Sequence, residues 1–204
     1  MSKPSIPLDS SCRRWTLVAS AACLLPLLLQ LPAQLGGLIG ATAVIVGLLA
    51  WRQPLPGWLR LVLTLALVGT VLGMGGFSFG RDTGCALLAA MLAVKPSETA
   101  GLRDARSMIG FALFAPFATF LLDQGPLPLL LGLAATVLAL TALQALADLE
   151  VGDRLARTTG RRLLGIGRLL AIGLPLALSV FWLFPRLGTP LWGVPVRSLA
   201  RPGL

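Results

Sequence analysis

Three cysteines, Cys12, Cys23 and Cys85, are the strongest nucleophiles in this sequence, and neither histidine nor tyrosine accompanies them. A thiol at its free pKa is only slightly ionised near neutral pH and needs an imidazole or another cation beside it to become a thiolate. Without histidine, a Ser-His-Asp triad, a Cys-His pair and a His-based metal centre are all excluded. The wide cysteine spacing gives neither a zinc-binding pattern nor a disulfide framework. Cys23 and Cys85 fall inside apolar runs, so the cysteines read as small apolar fillers. The stretch Gly73-Met74-Gly75-Gly76 lacks the spacing of a phosphate-binding loop. The expectation is a chain with no catalytic, cofactor-binding or metal-ligating residues.

The elements that would have to position any site are apolar helices. Of the 204 residues 56% are hydrophobic and 12% charged, about half the charge of an ordinary soluble domain. Apolar runs cover 15–31, 35–51, 59–79, 84–94, 107–122, 127–147 and 163–184. They predict an all-α, polytopic membrane helix bundle of about seven (six to seven) transmembrane helices. Trp15, Trp51, Trp58 and Trp182 stand at or near run ends, where indole rings favour the headgroup level. The fourth run, 84–94, spans only about 16 Å as a helix. It is either re-entrant, or a helix that starts at Arg81 and runs past Val94 with Lys95 snorkelling to the interface; the charge distribution favours a true span. Arg13 and Arg14 before an apolar run reaching Cys23 resemble a cleavable signal. That run continues through Leu24 to Leu31, and Ser20 stands where a lipoprotein signal normally carries leucine, so an uncleaved first span is expected.

The formal charge of +9 comes from 17 Lys and Arg against 8 Asp and Glu. The cations sit singly or in small groups between apolar runs, a topogenic pattern rather than a phosphate-tracking face, so nucleic acid is not an expected partner. With a cytoplasmic N-terminus and seven crossings, the inside segments hold Lys3, Arg13, Arg14, Arg52, Arg60, Lys95, Arg103, Arg106, Arg154, Arg157, Arg161, Arg162 and Arg168. Only Arg81, Arg186, Arg197 and Arg201 are left outside, which places the C-terminus there. The chain divides into a cytoplasmic tail (1–14), a transmembrane domain (15–184) and the start of an extracytoplasmic segment (185–204).

Pro32, Pro54 with Pro56, and Pro126 with Pro128 mark the breaks between runs, while Pro26, Pro116 and Pro175 are expected to kink the helices that contain them. Gly36 and Gly40, Gly69 and Gly73, and Gly76 and Gly80 recur at four-residue spacing, which lets helices approach closely. Packing within the bundle is the favoured reading of these pairs and contact with other membrane proteins the alternative. All eight acidic residues lie outside the runs or at their ends, against an ion-coupled path, although Gln30, Gln34, Gln144, Thr64 and Thr119 are able to line a polar one. The loop 95–106 mixes charge signs and reads as a self-paired interfacial segment, with a docking site as the sharper alternative. The basic stretch 154–168 reads as a topogenic contact to anionic lipid.

The segment Phe184-Pro185-Arg186-Leu187-Gly188-Thr189-Pro190-Leu191-Trp192-Gly193-Val194-Pro195 closely resembles the end of the membrane domain of TgpA-type bacterial transglutaminase-like proteins. The stretch from Gly80 to Leu88, leading to Lys95, Glu98, Arg103 and Asp104, resembles that family's central helix and charged loop, and Asp123-Gln124 agrees as well. Pro96 and Ser97 depart from the family, which would have apolar residues there. The resemblance implies multi-pass helices in a bacterial inner membrane, preceding an extracytoplasmic transglutaminase-like domain with a Cys-His-Asp triad carried in cis. It implies that this chain anchors and positions that domain, which lies outside these residues, and is not itself an enzyme. The lipid bilayer and the domain in cis are the implied partners. A small channel or transporter, or an assembly factor working through glycine-faced helices, is the alternative.

Overall fold

The computed structural model describes residues 8–52, 55–74, 80–151 and 159–183. Among these there are eight α-helices and no strand: α1 (Ser10–Gln30), α2 (Ala33–Arg52), α3 (Gly57–Met74), α4 (Arg81–Val94), α5 (Leu102–Ala112), α6 (Phe114–Leu122), α7 (Pro126–Val151) and α8 (Thr159–Leu183). Six helical stretches are long and apolar enough to cross a membrane, and one of them, Leu102–Leu122, joins α5 to α6. The α5–α6 joint at Leu113 is a slight break beside Pro116, whose ring nitrogen cannot donate to the carbonyl of Ala112. Pro26 and Pro175 lie inside α1 and α8, and Pro126 opens α7, where its missing N–H costs nothing.

The chain forms two compact units, Met1–Ile166 and Gly167–Leu204. The second contains the described helical residues 167–183. In the first, α1 runs antiparallel to α7, and α4 packs against α1, α2, α3 and α6. The contact surfaces are made of small side chains. Ala86, Ala89, Ala90 and Ala93 of α4 are buried, as are Ala135, Ala139, Ala142 and Ala145 of α7. Lipid tails are as apolar as leucine, so helices in a bilayer associate through close van der Waals approach, which alanine and glycine permit. Large side chains such as Val44, Leu48, Leu61 and Leu65 point outward instead.

The fourth run is resolved by its ends. Arg81 at the start of α4 donates to the carbonyl of Leu121 at the end of α6 (3.2 Å). At the other end a 3-10 turn, Lys95–Glu98, meets the α2–α3 connection, with the Leu55 N–H donating to the Ser97 carbonyl at 3.3 Å. Fourteen α-helical residues and four 3-10 residues together reach about 29 Å, close to the thickness of a hydrocarbon core. The segment therefore joins the two ends of the bundle, and α1, α2, α3, α4, α5–α6 and α7 traverse it alternately. α8 then sets out from the end where α7 finishes.

Hydroxyls within the spans are satisfied locally. Thr16, Thr42, Thr64, Thr70, Thr119, Thr136 and Thr141 each donate to the carbonyl four residues earlier in the same helix, at 2.7 to 2.9 Å.

Gly36 is the glycine whose identity the packing requires. A Cβ there would lie 2.7 Å from the carbonyl oxygen of Leu28, whereas one at Gly37 would meet nothing within 4 Å. The Gly36–Gly40 pair thus serves contact between α1 and α2, while Gly69 and Gly73 face open space and Gly76 lies outside the described residues. Gly36→Val is expected to destabilise the detergent-solubilised chain by about 1–3 kcal/mol, the cost of overpacking, with Gly37→Val close to neutral. Denaturant titration of the helical circular dichroism signal checks this, and equal effects of the two substitutions would refute it.

Candidate functional site

The cysteines come first because their chemistry was the initial question. Cys12 Sγ lies 3.6 Å from the carbonyl of Ala145, Cys23 Sγ 3.8 Å from that of Ala135, and Cys85 Sγ 3.5 Å from that of Ala118. All three thiols are buried and face an alanine on a neighbouring helix, where the small side chain leaves the carbonyl within reach. They act as helix-contact residues with a weak S–H donor. Among the described residues no group of three or more Cys, Asp or Glu is placed to hold a metal ion.

The polar groups collect at the two ends of the first unit. At the end holding the starts of α1, α3 and α5, Lys95 Nζ lies 2.7 Å from Glu98 Oε2, and Arg60 approaches the same carboxylate at 4.0 Å. The Nε–H of Arg60 has no partner among the described residues. Ser97 donates to the Val94 carbonyl (2.7 Å), and Thr99 donates to the Met108 sulfur (3.1 Å). Asp104 accepts from the N–H groups of Ala100 (3.2 Å) and Gly101 (3.1 Å), closing the first turn of α5 and placing its negative charge at a helix N-terminus. Arg106 pairs with Glu150, and Arg162 with Asp148 at 3.0 Å.

The opposite end is more sparsely charged. Gln30 Nε2 donates to Asp123 Oδ2 (3.2 Å), and Asp123 Oδ1 accepts from the Gly125 N–H (2.9 Å) in an Asx-type turn. Arg81 lies 3.5 Å from Asp82. A cavity of about 560 Å³ opens here, lined by residues that include Gln30, Pro32, Met74, Asp82, Thr83 and Leu122.

Of the residues singled out in the sequence, Lys95 and Glu98 are brought together, Asp104 caps α5, and Arg103 is exposed. Phe184, Pro185, Arg186, Leu187, Pro190, Leu191, Trp192, Gly193 and Pro195 lie outside the described residues. The polar-path candidates Gln30, Thr64 and Thr119 are hydrogen-bonded to Asp123, the Arg60 carbonyl and the Ala115 carbonyl respectively. The pairs Arg106–Glu150, Arg162–Asp148 and Gln30–Asp123 escape sequence reasoning. Each partner is visible at a run end, but which ends meet depends on how the helices are arranged.

The chain matches the TgpA N-terminal domain family over residues 15–204. A protein-glutamine gamma-glutamyltransferase of Pseudomonas aeruginosa strain PAO1 is 34% identical over 184 residues, which cover 89% of this chain and 27% of that protein. The chain thus spans about a quarter of the length of the curated relative it matches. No solved structure matches it.

Arg162 and Asp148 form the most enclosed ion pair described, with side chains only 11% and 18% exposed. Asp148→Asn is expected to cost about 1–3 kcal/mol in detergent, because it leaves a sheltered guanidinium short of its acceptor. Lys95→Gln, at a pair whose side chains are 32% and 45% exposed, is expected to cost no more than about 1 kcal/mol. Thermal unfolding of the two variants checks the order, and a larger loss for Lys95→Gln would reverse the ranking.

Proposed function

Because the chain belongs to the TgpA N-terminal domain family, we propose that it is the membrane domain of a transglutaminase-like protein, anchoring and positioning an extracytoplasmic transglutaminase-like domain of the same polypeptide. The observation that carries this reading is the unmatched part of the relative. A protein named for gamma-glutamyl transfer aligns with this chain through a minor, apolar share of its length, which leaves most of that protein for a catalytic domain. The chemistry of this chain agrees. A transglutaminase-like reaction needs a thiolate activated by an imidazole. The sequence supplies no imidazole, and its thiols are packed between helices.

The distribution of charge supports the orientation. Arg13, Arg14, Arg60, Lys95, Arg103, Arg106, Arg161 and Arg162 gather at one end of the first unit, with Arg81 at the other. The positive-inside rule makes the basic end cytoplasmic, in a bacterial inner membrane. The end carrying Asp123, Arg81 and the 560 Å³ cavity is then extracytoplasmic and faces the attached domain.

Alkaline phosphatase fused after Leu183 is therefore expected to be active and the same enzyme fused at Gly57 silent. The reverse pattern would overturn the orientation. In an assay for incorporation of a fluorescent amine into a glutamine-containing protein, the purified chain alone is expected to be inactive. A polypeptide extended by the relative's remaining sequence is expected to be active. Activity of the short chain that disappears on changing Cys12, Cys23 or Cys85 to Ala would sink the anchoring role.

A further inference from the structure

The seam between α1 and α2 holds a groove of about 650 Å³ that the anchoring role does not use. Leu24 and Leu25 of α1 and Val44 and Leu48 of α2 wall it, with Leu92 of α4 behind. The hydroxyl of Ser20, within the groove, already donates to the Leu17 carbonyl at 3.0 Å. Gly47 keeps the groove open, since a Cβ there would meet nothing within 4 Å.

One mouth of the groove is charged. The Arg14 guanidinium carbon sits 5.4 Å from the centroid of the Trp51 ring, and Arg13 donates to the Trp51 carbonyl at 3.0 Å. Arg14 is exposed, and among the described residues no carboxylate pairs with it. An arginine stacked on an interfacial tryptophan, with its N–H donors open, suits a phosphate at headgroup level.

Length, lining and charge together choose the occupant. From Arg14 to Leu28 the α1 wall extends about 21 Å, more than the roughly 15 Å depth of one leaflet's hydrocarbon. Along that length the walls are aliphatic, while the mouth carries the Arg14 guanidinium, unpaired among the described residues, so an acyl chain and an anionic headgroup joined to it meet complementary surfaces together. We propose that this groove is a binding site for an anionic phospholipid, with one acyl chain between α1 and α2 and the phosphate held by Arg14. The site requires only that the bundle spans a bilayer, and it stands whichever end is cytoplasmic and whether or not the chain anchors a catalytic domain.

The test is native mass spectrometry of the full chain released from nanodiscs containing phosphatidylglycerol or phosphatidylcholine with matched acyl chains. Phosphatidylglycerol is expected to be retained about fivefold better, the share of one arginine at a membrane surface. Arg14→Gln is expected to abolish that preference, and Gly47→Leu to remove retention of both lipids by filling the groove. Gly69→Leu, on a face of α3 where a Cβ also meets nothing within 4 Å, is the control for added bulk and is expected to change neither. Circular dichroism verifies that each variant is folded. Equal retention of the two lipids by the unaltered chain, or undiminished retention by folded Gly47→Leu, would overturn the proposal. So would a dimer that Gly47→Leu breaks while lipid retention stays the same, since the occupant would then be a second copy of the chain.

Discussion

The bundle depends on the burial of a helix that is itself too short to be conspicuous. Eight of the fourteen residues of α4 are buried, and α1, α2, α3 and α6 all pack against it. In a bilayer the hydrophobic effect puts helices into the membrane but does not press them together, because lipid serves an apolar face as well as another helix does. What remains is close contact, and α4 provides it with Ala86, Ala89, Ala90 and Ala93, along which neighbouring backbones come near. The cysteine contacts obey the same rule: each thiol reaches a backbone carbonyl because the residue opposite is alanine. The large aliphatic side chains are displaced to the periphery, where lipid can solvate them.

Close packing of smooth, small-residue surfaces leaves sliding along the helix axes poorly resisted, and the polar ends supply that resistance. Arg60 with Glu98, Arg106 with Glu150 and Arg162 with Asp148 each tie the start of one helix to the end of another element. At the other end Arg81 ties the start of α4 to the Leu121 carbonyl near the end of α6, and Gln30 joins the end of α1 to Asp123 at the end of α6. Individually such pairs contribute little to stability. Their consequence is register, since a helix displaced along its axis by one turn, about 5.4 Å, loses its partner entirely. Ends fixed in depth also keep the interfacial tryptophans at headgroup level.

The fold class was legible because hydropathy is a one-dimensional property. Runs of apolar residues report spans without any knowledge of neighbours, and the excess of cations in alternate connections reports the alternation. The fourth crossing was the exception. Residues 84–94 fall short of a bilayer, and the missing length comes from residues 81–83 before the run and from the 3-10 turn Lys95–Glu98 after it. Pro96 and Ser97 give no apolar signal, yet both are buried, with the Ser97 hydroxyl satisfied by the Val94 carbonyl. Side-chain polarity alone therefore understates how far the segment reaches. The ion pairs were illegible for a different reason: their partners lie up to 44 residues apart and meet only through the arrangement of helices. The glycine spacing misled in part, since Gly36 faces α1 while Gly69 and Gly73 face open space.

On the proposed anchoring role, a domain that positions another has to resist deformation. The contacts that occupy the described thiols and hydroxyls would also stiffen such a frame. Its thiols are occupied in helix contacts, and its hydroxyls are turned back on their own helices. The amide of Gln30, a polar-path candidate in the sequence, is joined to the Asp123 carboxylate. Opening a hydrated route through the unit would part the interhelical cysteine contacts and the Gln30–Asp123 bond and separate the closely packed alanine surfaces. The same economy explains where chemistry is left available. Among the described residues of the first unit the ion pairs lie at the ends, and the two cavities described lie at the Gln30–Asp82 end and along the α1–α2 seam.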